Sequence, residues 1–327
     1  MKTDIAIIVP NWNGAEYIAD CLHSLETQTA KALVIVVDNG SSDKSVELIQ
    51  KKFPAIEIVR LEKNHGFAGG VNKGLELAIK RGYKYAALLN NDAVAETTWL
   101  QVLVATANQH PKTGVVTGKL LRDDKKHIDS TGELYSIWGM PFPRGRNEVD
   151  KGQYDDQTEI FAASGGASLY RVEMLKEIGL FDEDFFAYFE DVDLSFRAQL
   201  AGWRVRYEPL AVAYHKIGAT SSKYGNLARY HSVKNFMFLY KKNMPGFLFI
   251  KYLPLFLAQY LRMFVSSTLR LHLWTFMRAT LATVLLDPKI FKQRRKIQSA
   301  RTVSTKYIDS ILHHHRPPHP QKLVSFK

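Results

Sequence analysis

Three acid-bearing segments have the residue types and placement to handle charge and protons. Asp38 opens Asp38-Asn39-Gly40-Ser41-Ser42-Asp43 at the end of an apolar run. Open α/β sheets take ligands at the carboxyl edge of their strands, and an acid there can accept hydrogen bonds from a base or ribose. The same residues also fit an Asx-turn or a helix cap. Asn90-Asn91-Asp92 follows Ala86-Ala87-Leu88-Leu89 in the same way. A carboxylate in that place could hold a divalent cation, because Mg²⁺ takes only one or two protein carboxylates and leaves other positions to diphosphate oxygens. Turn chemistry alone also favours Asn and Asp at a strand end.

The densest cluster is Phe185-Phe186-Ala187-Tyr188-Phe189-Glu190-Asp191-Val192-Asp193. A carboxylate held against apolar walls has a raised pKa, which suits a general base taking a proton from a hydroxyl. Asp193 fits the acidic first turn of a helix, complementing its dipole. His215, after a run ending Ala213-Tyr214, could complete a metal site as a neutral imidazole or serve packing alone. Asn64-His65-Gly66-Phe67-Ala68-Gly69-Gly70-Val71-Asn72 is a glycine-rich loop entering a helix, a place where backbone can approach an anionic ligand. It matches neither G-x-G-x-x-G nor G-x-x-x-x-G-K-[ST], so dinucleotide-dehydrogenase and P-loop readings lose their main support.

These segments need a sheet to carry them. Short apolar runs predict strands at Asp4–Pro10, Ala32–Asp38, Ile56–Leu61, Tyr85–Leu89 and Val115–Lys119, with helical periodicity between them. That alternation is the pattern of βαβ units around a mostly parallel sheet. Ser42 or Asp43 fits the cap of a helix running to Phe53. Residues 122–159 turn polar and rich in Gly, Pro and Asp, which predicts a loop or hairpin insert near a site. Helices are expected next at Val172–Ile178 and from Asp191, with a strand at Val205–Tyr207.

The 327 residues carry 44 Lys and Arg against 32 Asp and Glu, a net charge of +12. Up to Glu208 the balance is 24 − 30 = −6; beyond it the balance is 20 − 2 = +18, since only Asp287 and Asp309 remain. So uneven a split points to an anionic partner for the rear third, lipid or nucleic acid. That third predicts long helices broken near Pro245, Pro254 and Pro288. Arg262, Arg270 and Arg278 divide its apolar stretch into pieces shorter than the ~18–20 residues of a spanning helix, so an interfacial helix is the expectation. Packing on the body or on a homodimer partner is the alternative. The polar tail that includes His313-His314-His315 predicts a disordered end. A single cysteine, Cys21, excludes an internal disulfide framework. The short apolar start, Ile5–Val9, reads as a strand rather than a signal peptide.

Together, Val9-Pro10-Asn11-Trp12-Asn13-Gly14, Asp38 to Asp43, Asn64 to Gly74, Leu89 to Asp92 and Glu190 to Asp193 resemble family 2 glycosyltransferases, nearest the bacterial rhamnosyltransferase-like branch. The resemblance covers about residues 1–240, with the motifs in the family's order. It implies a GT-A fold, a Rossmann-like α/β architecture, and inversion at the anomeric carbon by single displacement. It places Pro10 and Asn11 by the nucleotide, Asp38 on the base, and Gly66, Phe67, Gly70 and Asn72 along nucleotide and sugar. Asn90, Asn91 and Asp92 stand at its DXD-type metal motif, with Asn90 in place of the first acid. Asp191 matches the general base, with Glu190 adjacent. His215, followed by Gly218 and Ser221, matches a histidine that ligates the metal in some members.

The resulting expectation is a catalytic domain over 1–240, a helical membrane-associating region over 241–300 and a basic, disordered tail over 301–327. The enzyme would use Mg²⁺ or Mn²⁺ and move a sugar, L-rhamnose from dTDP-L-rhamnose by resemblance, with a UDP-hexose as rival donor. The acceptor would be lipid-linked or a glycan, met peripherally at the cytoplasmic face of a bacterial membrane. Two other classes stay open: a nucleic-acid-binding protein, which would not require acids at strand ends, and a catalytically silent scaffold of the same fold.

Overall fold

The computed structural model describes residues 3–216 and 225–318. Its front half alternates strand and helix: β1 (Ile5–Asn11), α1 (Ile18–Glu26), β2 (Leu33–Asn39), α2 (Ser45–Lys52), β3 (Glu57–Leu61), α3 (Gly66–Lys80), β4 (Tyr85–Leu89), β5 (Ala93–Ala95), α4 (Trp99–Gln109) and β6 (Thr113–Arg122). Side-chain alternation along β1 divides the core between two faces. Ile5, Ile7 and Val9 pack with Leu22 of α1 and Leu103 of α4, while Ala6 and Ile8 pack with Val71 and Leu75 of α3.

The insert forms β7 (Ile128–Ser130), β8 (Glu133–Tyr135) and β9 (Pro141–Pro143); then come β10 (Ala167–Arg171), α5 (Val172–Ile178), α6 (Glu190–Leu200) and β11 (Arg204–His215). The sheet order is β3-β2-β1-β4-β10-β6-β11-β5. Strands β3, β2, β1 and β4 are parallel, as the periodicity predicts, but β10 is antiparallel to both β4 and β6. The reason is topological: the chain leaves β6 at the carboxyl edge, makes the insert there, and re-enters from that same edge. The insert is thereby held over the edge where the acids lie.

The rear third consists of α7 (Gly225–Asn243), α8 (Gly246–Leu269), α9 (Leu273–Ser299) and α10 (Thr305–Ile311). Pro254 and Pro288, expected to break helices, lie inside α8 and α9. Each proline frees a carbonyl four residues back. Those carbonyls belong to exposed Ile250 and Val284, so no core group is orphaned. Helix α8 is long and apolar enough to cross a membrane, Arg262 notwithstanding, and only 22% of its most apolar stretch is buried.

The tail expected to be disordered is structured through residue 318. Ser304 caps α10, Ile308 and Leu312 enter the aromatic core formed with α6, α7 and α8, and His313 pairs with β8 through its backbone. Gly218 and Ser221 lie outside the described residues.

Candidate active site

Asn11 and Asp38 end adjacent parallel strands in register, which brings their side chains together. Asn11 Nδ2 donates to Asp38 Oδ1 at 3.2 Å and to Ser45 Oγ at 3.0 Å, and Asn11 Oδ1 accepts from Asn91 Nδ2 at 2.9 Å. One buried amide thus ties the Asp38 turn to the Asn90-Asn91-Asp92 turn. Pro10, one residue earlier, pairs in register with Val37. Asp43 accepts from the backbone N–H of Ser45 at the start of α2 and of Ala15, bracing this corner.

The glycine-rich loop packs closely against other parts of the chain. Gly66 has φ +74°, and a Cβ there would lie 2.2 Å from the carbonyl oxygen of Phe186. The close approach that glycine permits is therefore taken by the Phe186 loop, whose carbonyl also accepts from the Ala68 N–H. Gly70 backs onto Asn39, whose side chain donates to the Gly66 carbonyl at 2.8 Å. Asn72, expected beside the nucleotide, is buried and exchanges hydrogen bonds with the Phe181 backbone at 2.9 and 3.1 Å. Its amide orients the segment leading to the Phe185–Phe189 loop.

That loop carries backbone strain. Phe186, Tyr188 and Phe189 all have φ between 64° and 73°, the left-handed region, immediately before Glu190. Strained backbone persists only where its surroundings over-determine it. Here buried Asn235 of α7 donates to the carbonyls of Phe185, Ala187 and Tyr188 at 2.7–2.9 Å, and the Phe186 ring stacks on His231 at 4.8 Å. Asp193, read from sequence as complementing the helix dipole, is instead fully buried. It pairs with Arg197 and Lys242 at 2.9 Å and accepts from Asn243 at 2.7 Å, locking α6 to α7.

So anchored, α6 presents Asp191, whose Oδ2 accepts the Gly165 N–H at 2.8 Å. The Gly166 carbonyl accepts the Asn90 N–H at 2.9 Å, so one glycine pair joins the base candidate to the metal-motif turn. A Cβ on Gly165 would lie 3.3 Å from both Asp191 and the Phe67 ring, which places Phe67 at this junction. Burial raises the Asp191 pKa, against the Gly165 and Val192 N–H groups and the charge of Arg146. Glu190 is raised well above the ordinary carboxyl range by burial and by the charge of Asp191. Its Oε2 is buried with no hydrogen-bond partner among the described residues.

Asp92 and His215 also meet: Asp92 Oδ1 lies 3.1 Å from His215 Nε2, and His215 Nδ1 lies 2.7 Å from Asp129 Oδ2. Arg146 in turn reaches Asp129 at 2.6 Å. Burial pushes His215 down, but Asp92 and Asp129 outweigh it and hold the imidazole up to about 10. With Nδ1 tied to Asp129, Nε2 is the nitrogen turned toward Asp92, and it would ligate a cation on giving up its proton. Convergence of one carboxylate oxygen and one imidazole nitrogen fits Mn²⁺ or Mg²⁺ completed by phosphate oxygens and water. Among the described residues no group of three or more acid, His or Cys side chains forms a closed cage.

Four residues here escaped the sequence reading: Asp129, Glu133 and Arg146 in the insert, and Asn235 in α7. Glu133 is pushed up to about 8 by burial and by the charge of Asp191, and it accepts from Ser130 Oγ at 2.9 Å. The compact Asp129-Ser130-Thr131-Gly132-Glu133 run, two acids around a glycine turn, was the available signal.

The edge therefore gathers a hydrogen-bonded Asn11-Asp38-Asn91 cluster, a paired carboxylate and imidazole, and a carboxylate of raised pKa. Such a set can activate a hydroxyl while stabilising a departing phosphate. Comparison with known proteins agrees. Residues 6–179 match Glycosyl transferase family 2, and residues 148–288 match Glycosyl transferase family group 2. The poly-beta-1,6-N-acetyl-D-glucosamine synthase of Staphylococcus epidermidis is 28% identical over 222 residues, 66% of this chain and 50% of that protein. Its counterpart in Staphylococcus aureus strain COL is 27% identical over the same share. This chain spans about half the length of these curated relatives. Among solved structures, S. aureus TarS superposes with a TM-score of 0.57 at 18% identity, over 95% of this chain and 54% of that one. GalNAc-T7, crystallised with UDP, GalNAc and Mn²⁺, gives 0.57 at 14% identity, over 74% of this chain and 48% of that one. The fold is accordingly GT-A-like, with a C-terminal helical region, and with its family match covering more than half its length the chain belongs to glycosyl transferase family 2.

Proposed function

We propose that this glycosyltransferase moves a sugar from a UDP donor to a glycan or lipid-linked acceptor of the bacterial cell envelope, inverting the anomeric centre. One observation carries the reading: the Gly165-Gly166 pair hydrogen-bonds on one side to Asp191 and on the other to the turn bearing Asp92. Base and phosphate ends of the reaction are thereby one peptide unit apart. Asn11, Asp38 and Asn91 hold the nucleoside end. Asp191 takes the proton of the acceptor hydroxyl as its oxygen bonds to the anomeric carbon and the bond to the diphosphate breaks. A single displacement inverts configuration and needs no covalent intermediate. Asp92 and His215 would hold a divalent cation, which would neutralise charge developing on the leaving diphosphate.

The favoured donor shifts from dTDP-L-rhamnose to a UDP-N-acetylhexosamine. Supporting this are the N-acetylglucosamine polymer named for the sequence relatives and the UDP present in the TarS and GalNAc-T7 structures. The apolar flanks of α8 and α9 support work at a membrane. Of the exposed large hydrophobic residues described, 14 of 17 fall between Phe247 and Phe291, alongside exposed Lys251, Arg270, Arg278 and Lys289. An interfacial helix pair covers such a face with acyl chains and its basic rim with anionic headgroups. Donor hydrolysis with UDP-N-acetylglucosamine, UDP-N-acetylgalactosamine, UDP-glucose and dTDP-L-rhamnose, each with Mn²⁺ or Mg²⁺, tests the assignment. Release is expected from a UDP-N-acetylhexosamine; release from dTDP-L-rhamnose alone overturns the donor choice.

A further inference from the structure

Three arginines and a histidine gather at one end of the helical region: Arg229 near the start of α7, Arg270 and His272 in the turn between α8 and α9, and Arg278 in α9. Packing of Tyr230 with Val233, Phe276 and Ala279 fixes the start of α7 against the start of α9, and the Arg278 guanidinium lies 6.0 Å from the Tyr230 ring. Burial and the neighbouring Arg270 depress Arg229, and burial, Arg229 and Arg270 depress His272. Like charges thus crowd one another, and among the described residues none of the four makes an ion pair. Nor does the rear third hold an acid to relieve them. Its two acids are engaged elsewhere, Asp287 by Lys241 at 2.8 Å and Asp309 by Lys251 at 2.8 Å, and residues 217–224 contain none.

Clustered cations without a counter-charge cost stability unless an anion completes them. Beside them stand Leu269, Leu271 and Trp274, 79%, 94% and 72% exposed. A ligand suited to both features has a phosphate and an apolar tail. We propose that Arg229, Arg270 and His272 form a phosphate-binding site for the headgroup of a lipid whose chains lie along Leu269, Leu271 and Trp274. Arg229 lies two residues before His231, whose ring stacks on Phe186 in the strained loop leading to Asp191. A lipid phosphate held there would be the anchoring group of a lipid-linked acceptor. The site deepens the membrane part of the proposed function and rests on it only for this role.

Calorimetric titration of the full chain with soluble dihexanoyl phosphatidic acid, dihexanoyl phosphatidylcholine and inorganic phosphate tests the site without a bilayer. Phosphatidic acid is expected to bind at least about tenfold more tightly than either of the others. Arg229→Gln/Arg270→Gln should abolish that preference, as should His272→Ala in part, while Arg295→Gln/Lys296→Gln on exposed α9 should keep it. Equal affinity for inorganic phosphate means a free-anion site and overturns the lipid assignment. Retained preference in the first variant, or equal loss in the α9 control, means diffuse surface charge and overturns the site. Melting curves identify any variant that fails to fold, in which case His272→Ala decides. Failure of the chain to turn over a nucleotide sugar would sink the enzymatic reading and leave this result standing.

Discussion

The backbone N–H of Gly165 donates to Oδ2 of Asp191 at 2.8 Å, so the base candidate is oriented by the same strand-entry Gly165-Gly166 pair that supports the metal-motif turn. Burial still holds Asp191 above the ordinary aspartate range, and Glu133 beside it is pushed up to about 8. A base must be ionised to act, so kcat/KM should fall on the acid side at a pH above the ~4 typical of aspartate. Glu133 keeps its proton where Asp191 has lost its own, and its ionisation near pH 8 would add a second negative charge beside the base that repels the anionic donor. The profile should therefore be bell-shaped, and Glu133→Gln should keep the acid limb and lose the alkaline one. An unchanged alkaline limb in that variant would remove Glu133 from the role.

Glu190 sets a second pH dependence, in stability. Its folded pKa is raised well above 4.5, with burial the largest cause and Asp191 next. Between those values the native state keeps a proton that the unfolded chain releases, so unfolding free energy falls as pH rises. Glu190→Gln has no proton to lose. Its Tm should exceed that of the parent at pH 8 and converge with it at pH 4; a constant difference across that range contradicts the assignment.

Asp92 and His215 should act together on the cation. Either Asp92→Ala or His215→Ala is expected to weaken Mn²⁺-dependent UDP binding about tenfold or more, with metal-free UDP binding much less affected. Calorimetry with and without Mn²⁺ reads both quantities, and full retention of the Mn²⁺ increment in both variants would exclude this pair as ligands.

Membrane attachment is testable without cutting the chain. Truncation near Lys242 would strip α7 of α9, whose Asp287 pairs with Lys241 and whose Thr283 donates to the Lys234 carbonyl. Point changes avoid that. Leu261→Gln/Phe264→Gln/Leu281→Gln, all at exposed positions, should lower flotation with phosphatidylglycerol-containing vesicles at unchanged Tm. Unchanged flotation, together with a shift from dimer to monomer, would give this face to a homodimer.

Much of this arrangement was legible because it is local. Strands β1 to β4 each combine an apolar run with a turn motif, and the acids Asp38 and Asp92 follow directly from strand ends. Asp129, Glu133 and Arg146 were not legible as site residues, because their place depends on β6 pairing with β7 and on β10 entering antiparallel, contacts that span the insert. The structural contacts of Asn72 and Gly66 were not legible for a related reason. Their partners, Phe181 and Phe186, lie more than a hundred residues away. The rear end was misread because its histidines and prolines outweigh Ile308 and Leu312 in composition, although those two apolar residues suffice to dock it.

The most direct test of the central claim compares Asp191→Asn with the parent chain in UDP release from its preferred UDP-sugar in Mn²⁺, alongside calorimetric UDP binding. The Gly165 N–H can still meet the amide oxygen, so UDP affinity should stay within about twofold. Turnover should fall by ~10²–10⁴, the contribution typical of a positioned base. Unchanged turnover at unchanged affinity would contradict the account.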